Sequence, residues 1–160
     1  MRNFSFCLLI TSALLYSCTT QTKSFDETLI KISDTSRFTL LHFQKARTFP
    51  FDSTFKEVKL SDPELELALS LFSKSLKKYN DIHAKYPIEL YKDDYKLQLI
   101  AALNSNNEKV VWINGFCYDK HFSYWRQTYV WVQDGGQCFF GVSLNLSKRT
   151  FTQIRTNWRA

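Results

Sequence analysis

A chain of 160 residues that is 44% hydrophobic and 22% charged, with a formal net charge of +6, is neither disordered, collagenous nor built of several membrane-spanning helices. Four Gly and three Pro exclude a low-complexity tail. Aromatic residues at 16%, among them 14 Phe, 8 Tyr and 4 Trp, supply enough apolar mass for one core without the help of metals.

The chain opens with Arg2 as its only early charge and then the apolar stretch Phe4 to Tyr16. This is the profile of a signal peptide. Thirteen helical residues span roughly 20 Å, short of the roughly 30 Å hydrocarbon core, so a permanent spanning helix is not expected. The stretch ends in Leu15-Tyr16-Ser17-Cys18 and is followed by polar Thr19-Thr20-Gln21-Thr22. That ending resembles the lipobox of bacterial lipoproteins, with Leu three positions before the cysteine and a small residue just before it. Tyr16 departs from the small or aliphatic residue usual there. The resemblance covers the first 18 residues and implies removal of residues 1–17, a diacylglyceryl group on the Cys18 sulfur, and an acyl chain such as palmitate on its new amino group. Two or three chains, at about 0.8 kcal/mol per buried methylene, hold a protein on a membrane where one chain would not. The implied address is the bacterial cell envelope. No acidic run follows Cys18, and the expected position is the outer membrane facing the periplasm.

Residues 18–35 are rich in Thr, Ser and charge, as expected of a tether, which leaves residues 36–160 for a single domain. The segment Arg37 to Phe43 is expected to add a strand or a short helix. Ser61-Asp62-Pro63-Glu64 has capping-box spacing with Pro in the first turn. Leu65, Leu69, Phe72, Leu76 and Tyr79 follow at intervals of three or four, a core-facing stripe of an amphipathic helix that Pro87 ends at the latest.

Beyond Pro87 the period falls to two. Tyr95 to Leu103 and Val110 to Phe116 alternate around a turn at Asn104 to Asn107, which predicts a hairpin. Residues 118–126 form a longer connection. Two further strands, Thr128 to Gln133 and Cys138 to Leu146, are expected on either side of the tight turn Asp134-Gly135-Gly136-Gln137, and a last strand at Thr150 to Thr156. One helix followed by about five strands gives an α+β domain, the helix packed on an antiparallel sheet, cystatin-like or nuclear-transport-factor-like by analogy of architecture alone. The blocks Val110 to Cys117 and Val132 to Leu146 are similar to small envelope lipoproteins of the Bacteroidota, a resemblance over about the last 60 residues that brings no activity with it.

Charge is unevenly placed. Residues 18–108 carry 13 basic and 13 acidic side chains, whereas residues 109–160 carry 7 basic and 2 acidic. On a sheet, Arg126, Arg149, Arg155 and Arg159 could share a face with Trp125, Trp131 or Trp158, a basic and aromatic surface suited to an anionic partner. Given an envelope address, the expected partner is an anionic envelope component or a protein rather than nucleic acid. The plainer reading is scattered solvated arginines around a Trp-containing core.

Cys117-Tyr118-Asp119-Lys120-His121 is the one cluster of reactive residue types, and a thiolate activated by His121 would be a nucleophile. One Cys and one nearby His without a visible oxyanion element is a weak signal. Cys117 and Cys138 are instead either bridged or two buried thiols. The bridge meets a geometric objection: with Thr128 to Gln133 as a strand between them, the two cysteines would fall at opposite ends of a meander, beyond the roughly 7 Å Cα limit. Asp134 reads as turn chemistry, and Asp93 and Asp94 point to opposite faces of an extended segment. His42, His83 and His121 have no ligand spacing, so neither a metal nor a cofactor is expected. The expectation is a lipid-anchored, non-catalytic binding or interaction domain. The alternatives are an inhibitor or immunity-like module presenting residues 134–137 to an envelope enzyme, or a thiol enzyme using Cys117 and His121.

Overall fold

The computed structural model describes residues 30–31, 33–43, 49–118 and 120–157. The expected signal peptide and Cys18, and Trp158 and Arg159 of the expected basic face, lie outside the described residues. One helix packs on a mixed sheet that is not closed into a barrel, an α+β fold. The strands are β1 (Phe38–Leu41), β2 (Lys56–Glu57), β3 (Tyr95–Leu103), β4 (Lys109–Cys117), β5 (Gly136–Asn145), β6 (Thr150–Phe151) and β7 (Arg155–Asn157), with α1 (Asp62–Ile82) between β2 and β3. The sheet order is β1-β3-β4-β5-β6; β2 also pairs with β3, and β7 with β5.

The helix begins where its capping signal placed it. The Ser61 N–H donates to Glu64 Oε2 at 2.9 Å, and Pro63 sits where a missing N–H costs nothing. It ends at Ile82, short of Pro87. Beyond it the Asn80 amide accepts from Ile88 N–H at 2.9 Å and donates to Ile88 O at 3.0 Å, folding the following loop back onto the last turns. The stripe of Leu65, Leu69, Phe72, Leu76 and Tyr79 is buried against Leu97 and Leu99 of β3, Ile113 of β4 and Phe140, Val142 and Leu144 of β5. Phe72 stacks on Phe140 with ring centroids 6.0 Å apart. Truncating a ring at such a position costs about 3–5 kcal/mol. Among the described residues no helix is long and apolar enough to cross a membrane.

Four sequence expectations need correction. The sheet is not wholly antiparallel, because Phe38–Leu41 of the Arg37 to Phe43 segment joins β3 in parallel register. Thr128 to Gln133 is not a strand, and β4 pairs directly with β5 from Val110↔Asn145 to Phe116↔Phe139. The last strand is split, since residues 152–154 leave the ladder and Ile154 turns into the core. The folded body also starts earlier than residue 36: Ile30, within the expected tether, is buried in the main core.

With β4 beside β5, the objection to a disulfide disappears. Cys117 and Cys138 follow directly from the pair Phe116↔Phe139, their Cα atoms are 4.9 Å apart, and their sulfurs are bonded.

Candidate binding cleft

The face of the sheet away from α1 is also covered. Gln98, Ile100 and Ala102 of β3 and Val110, Asn114 and Phe116 of β4 are all buried there. Phe51 packs against Ile100, Ala102 and Val110, and Phe116 lies under Trp125 and Val130. The cover is therefore built from the Phe49 to Phe55 loop and from the long connection between β4 and β5.

Two amides hold that connection in place of a strand ladder. Gln98 and Asn114 are cross-strand partners in β3 and β4. Gln98 Nε2 donates to the carbonyls of Trp125 and Thr128, and Gln98 Oε1 accepts from the Val130 N–H at 2.8 Å. Asn114 Nδ2 donates to Val130 O at 2.9 Å and to Gln98 Oε1 at 3.0 Å. Asn157 Nδ2 donates to Val132 O further along. Buried amides are costly unless every group is paired, and paired in this way they pin a segment that has the alternation of a strand but no ladder of its own.

Along the sheet, Gln98, Asn114, Gly141 and Arg155 form one transverse row through β3, β4, β5 and β7. Gly141 is the gap in that row. A Cβ there would collide with the Trp112 ring, which leans across it from β4. Above this floor the aromatic walls converge. Phe49 meets Trp112 edge-on at 5.2 Å and Trp131 at 4.9 Å, and Trp112 Nε1 donates to the Tyr129 hydroxyl at 3.1 Å. Phe49 is 41% and Trp131 58% exposed, although both belong to the cluster. Between these rings and the row lies a cleft of about 420 Å³, with Arg155, Thr156 and Asn157 on its β7 side. A second hollow of about 200 Å³ shares Phe49 and Tyr129 with it and is bordered by Leu41, Phe43, Ile100 and Arg126. Among the described residues neither is lined by an Asp or Glu.

The single basic and aromatic face expected from the sequence is thus divided. Arg155 and Trp131 meet at the cleft. Trp125, 4% exposed, is a core residue. Arg126 lies 4.4 Å over its ring and donates from Nη2 to Thr35 O at 2.8 Å, bordering the smaller hollow. Arg149 sits in the β5–β6 turn with φ 54°, beyond the other end of the β5 residues that line the cleft. His121 lies in a short 3-10 turn, Lys120–Phe122, and the Cys117 sulfur is bonded to Cys138, so the thiolate required by the enzymatic alternative is not present. Gly135 and Gly136 take φ of 138° and 59°, the positive values that the Asp134 to Gln137 turn demands. Asp94 faces Arg37 at 3.1 Å and Lys96 at 3.0 Å. Among the described residues no three His, Cys, Asp or Glu side chains converge as metal ligands would.

Phe49, Trp112, Tyr129 and Gly141 were not singled out by the sequence reading. Two signals were available for them. Both alternating sets of β4 residues are largely apolar, the mark of a strand covered on two faces, and a glycine inside a strand marks close approach of another group. No family model, curated protein or solved structure matches this chain.

Proposed function

We propose that the protein is a lipid-anchored component of the bacterial cell envelope whose α+β domain binds a ligand, without catalysis, in the cleft between Trp131, Phe49 and Arg155. The observation that carries the binding reading is the cleft: a cavity of about 420 Å³ with partly exposed aromatic walls lies within the roughly 300–1,000 Å³ of small-molecule sites and has few polar groups, as such sites do. The anchor reading rests on Leu15-Tyr16-Ser17-Cys18. A Cys117–Cys138 bridge suits an oxidising compartment outside the cytoplasm, which supports the same address. The partner is an anionic envelope component, and the expected placement is the outer membrane facing the periplasm. A second reading, an inhibitor or immunity-like module, draws on Trp131 standing exposed three residues before the Asp134 to Gln137 turn.

Two measurements test the proposal separately. Mass spectrometry of the native N-terminus is expected to find a mature chain starting at acylated Cys18, and Cys18→Ala is expected to leave the membrane fraction; an unmodified thiol or a retained Met1 overturns the anchor. Envelope extract separated into saccharide and protein fractions is titrated against intrinsic tryptophan fluorescence. A saturable change that Phe49→Ala abolishes supports the cleft, and an identical response from both proteins overturns it.

A further inference from the structure

The chemistry of the cleft narrows its ligand, granted the binding reading above. Its walls offer ring faces. Trp131 and Phe49 present apolar surface to solvent although they pack on each other and Phe49 also on Trp112. Flat apolar surface beside polar side chains suits a ring with one C–H-lined face and hydroxyls around its edge. Asn157 stands on the β7 side for such hydroxyls, whereas Thr156 pairs with Phe140 and shares the helix-facing side of the sheet with it. One guanidinium completes the set. Arg155 is held on this face by its pairing with Gly141, and its side chain makes no hydrogen bond or ion pair among the described residues. Among the described residues no acidic side chain lines the cleft to neutralise it, and residues 109–160 carry 7 basic against 2 acidic residues. A planar guanidinium in that setting is complementary to a carboxylate or phosphate group, which it can take through two parallel hydrogen bonds.

Other occupants fit less well. An extended peptide binding by strand addition needs main-chain groups, yet the Val130 N–H and the carbonyls of Thr128, Val130 and Val132 are already taken by Gln98, Asn114 and Asn157. Single-stranded nucleic acid needs a basic track along its backbone as well as stacking rings. Among the described residues one arginine lines the cleft, Arg126 lies at the neighbouring hollow, and Arg149 is remote from both.

We infer that the cleft takes an anionic saccharide, with a sugar ring against Trp131 and Phe49 and its acidic group on Arg155. The test uses the mature acylated protein in detergent and reads binding by isothermal titration calorimetry. Trigalacturonate is the anionic probe, its methyl ester the neutral analogue, glucose 6-phosphate the phosphate counterpart, and inorganic phosphate and a hexathymidylate the competitors of other chemistry. Trigalacturonate or glucose 6-phosphate is expected to give saturable binding, and which of them binds more tightly assigns the carboxylate or phosphate source. The methyl ester is expected to bind at least about tenfold more weakly than trigalacturonate, the loss of a charge-assisted pair worth about 1.4 kcal/mol. Arg155→Gln is expected to lose the same factor while its thermal unfolding stays that of the wild type, and Trp131→Ala to lose binding of both trisaccharides. The inference is overturned if neither anionic sugar binds, if ester and acid bind equally, if Arg155→Gln binds like the wild type, or if inorganic phosphate or hexathymidylate binds as tightly as the sugars. Equal binding of acid and ester, lost in Trp131→Ala, would leave the cleft a binding site and remove only the anionic specificity.

Discussion

Gln98 and Asn114 face each other across β3 and β4, and their two amides hold both the N–H and the carbonyl of Val130. Gln98 is wholly buried, so the hydrogen bonds it makes cannot be replaced by water without opening the cover. Gln98→Leu leaves the carbonyls of Trp125 and Thr128 and the Val130 N–H without these partners. At about 1–3 kcal/mol for each buried group left unpaired, the variant is expected to lose roughly 3 kcal/mol or more. It should also be cut by protease within residues 118–135 long before the sheet unfolds. Urea unfolding within about 0.5 kcal/mol of the wild type would show that the amides do not hold the segment.

The bridge between Cys117 and Cys138 ties the two ends of that cover at a sequence separation of 21. Closing a loop of this length removes entropy from the unfolded chain worth about 3 kcal/mol. The Cys117→Ser, Cys138→Ser double variant, and the wild type under dithiothreitol, should share one lowered urea midpoint. If reduction leaves the midpoint where it was, the bridge contributes nothing.

Gly141 leaves room for the Trp112 ring, and that contact also sets the floor of the cleft. Gly141→Ala must move either the ring or the strand, at a cost of about 1–3 kcal/mol. Because Trp112 donates to the Tyr129 hydroxyl, the displacement should also change the tryptophan emission spectrum of the folded protein. An unaltered spectrum with unaltered stability would mean that the ring has space to spare.

Two glutamates outside the cleft contribute to the response to acid. Glu64 lies under the Lys109 ammonium and accepts from the Ser61 N–H, which hold its carboxyl down to about 2. Lys148, followed by the amides of Asn104 and Asn145, does the same for Glu108, also to about 2. Both folded values lie below those of the unfolded chain, near 4.5, so each contribution is whole above that pH and is lost as the pH falls from about 4.5 through about 2. Urea midpoints taken between pH 6 and pH 2.5 should therefore fall with acid, and fall less in Glu64→Gln. Equal slopes for the two proteins would remove Glu64 from this account.

The helix and the β3–β4 hairpin were legible because each is a local pattern: Ser61 to Glu64 marks a start, Leu65 to Tyr79 a face, and Asn104 to Asn107 a turn. The failure at Thr128 to Gln133 has a physical cause. Alternating residues report that one side of a segment is buried, not that its backbone is in a ladder. Here β5, seven paired positions long and tied at Cys138, takes the edge of β4 that the segment would have used. Trp131 and Arg155 were legible by residue type, but not as neighbours. They meet because β7 returns to the far edge of β5 while side-chain amides, which leave no periodic trace in the sequence, hold the cover in place.

The amides that fasten the cover grip main-chain atoms only, the N–H of Val130 and the carbonyls of Trp125, Thr128, Val130 and Val132. They are therefore indifferent to which outward side chain stands at position 131, where Trp131 now points to solvent. The scaffold treats that position as a replaceable cartridge: new residues grafted there would alter what the protein captures while the sheet, the helix and the cross-link keep their shape.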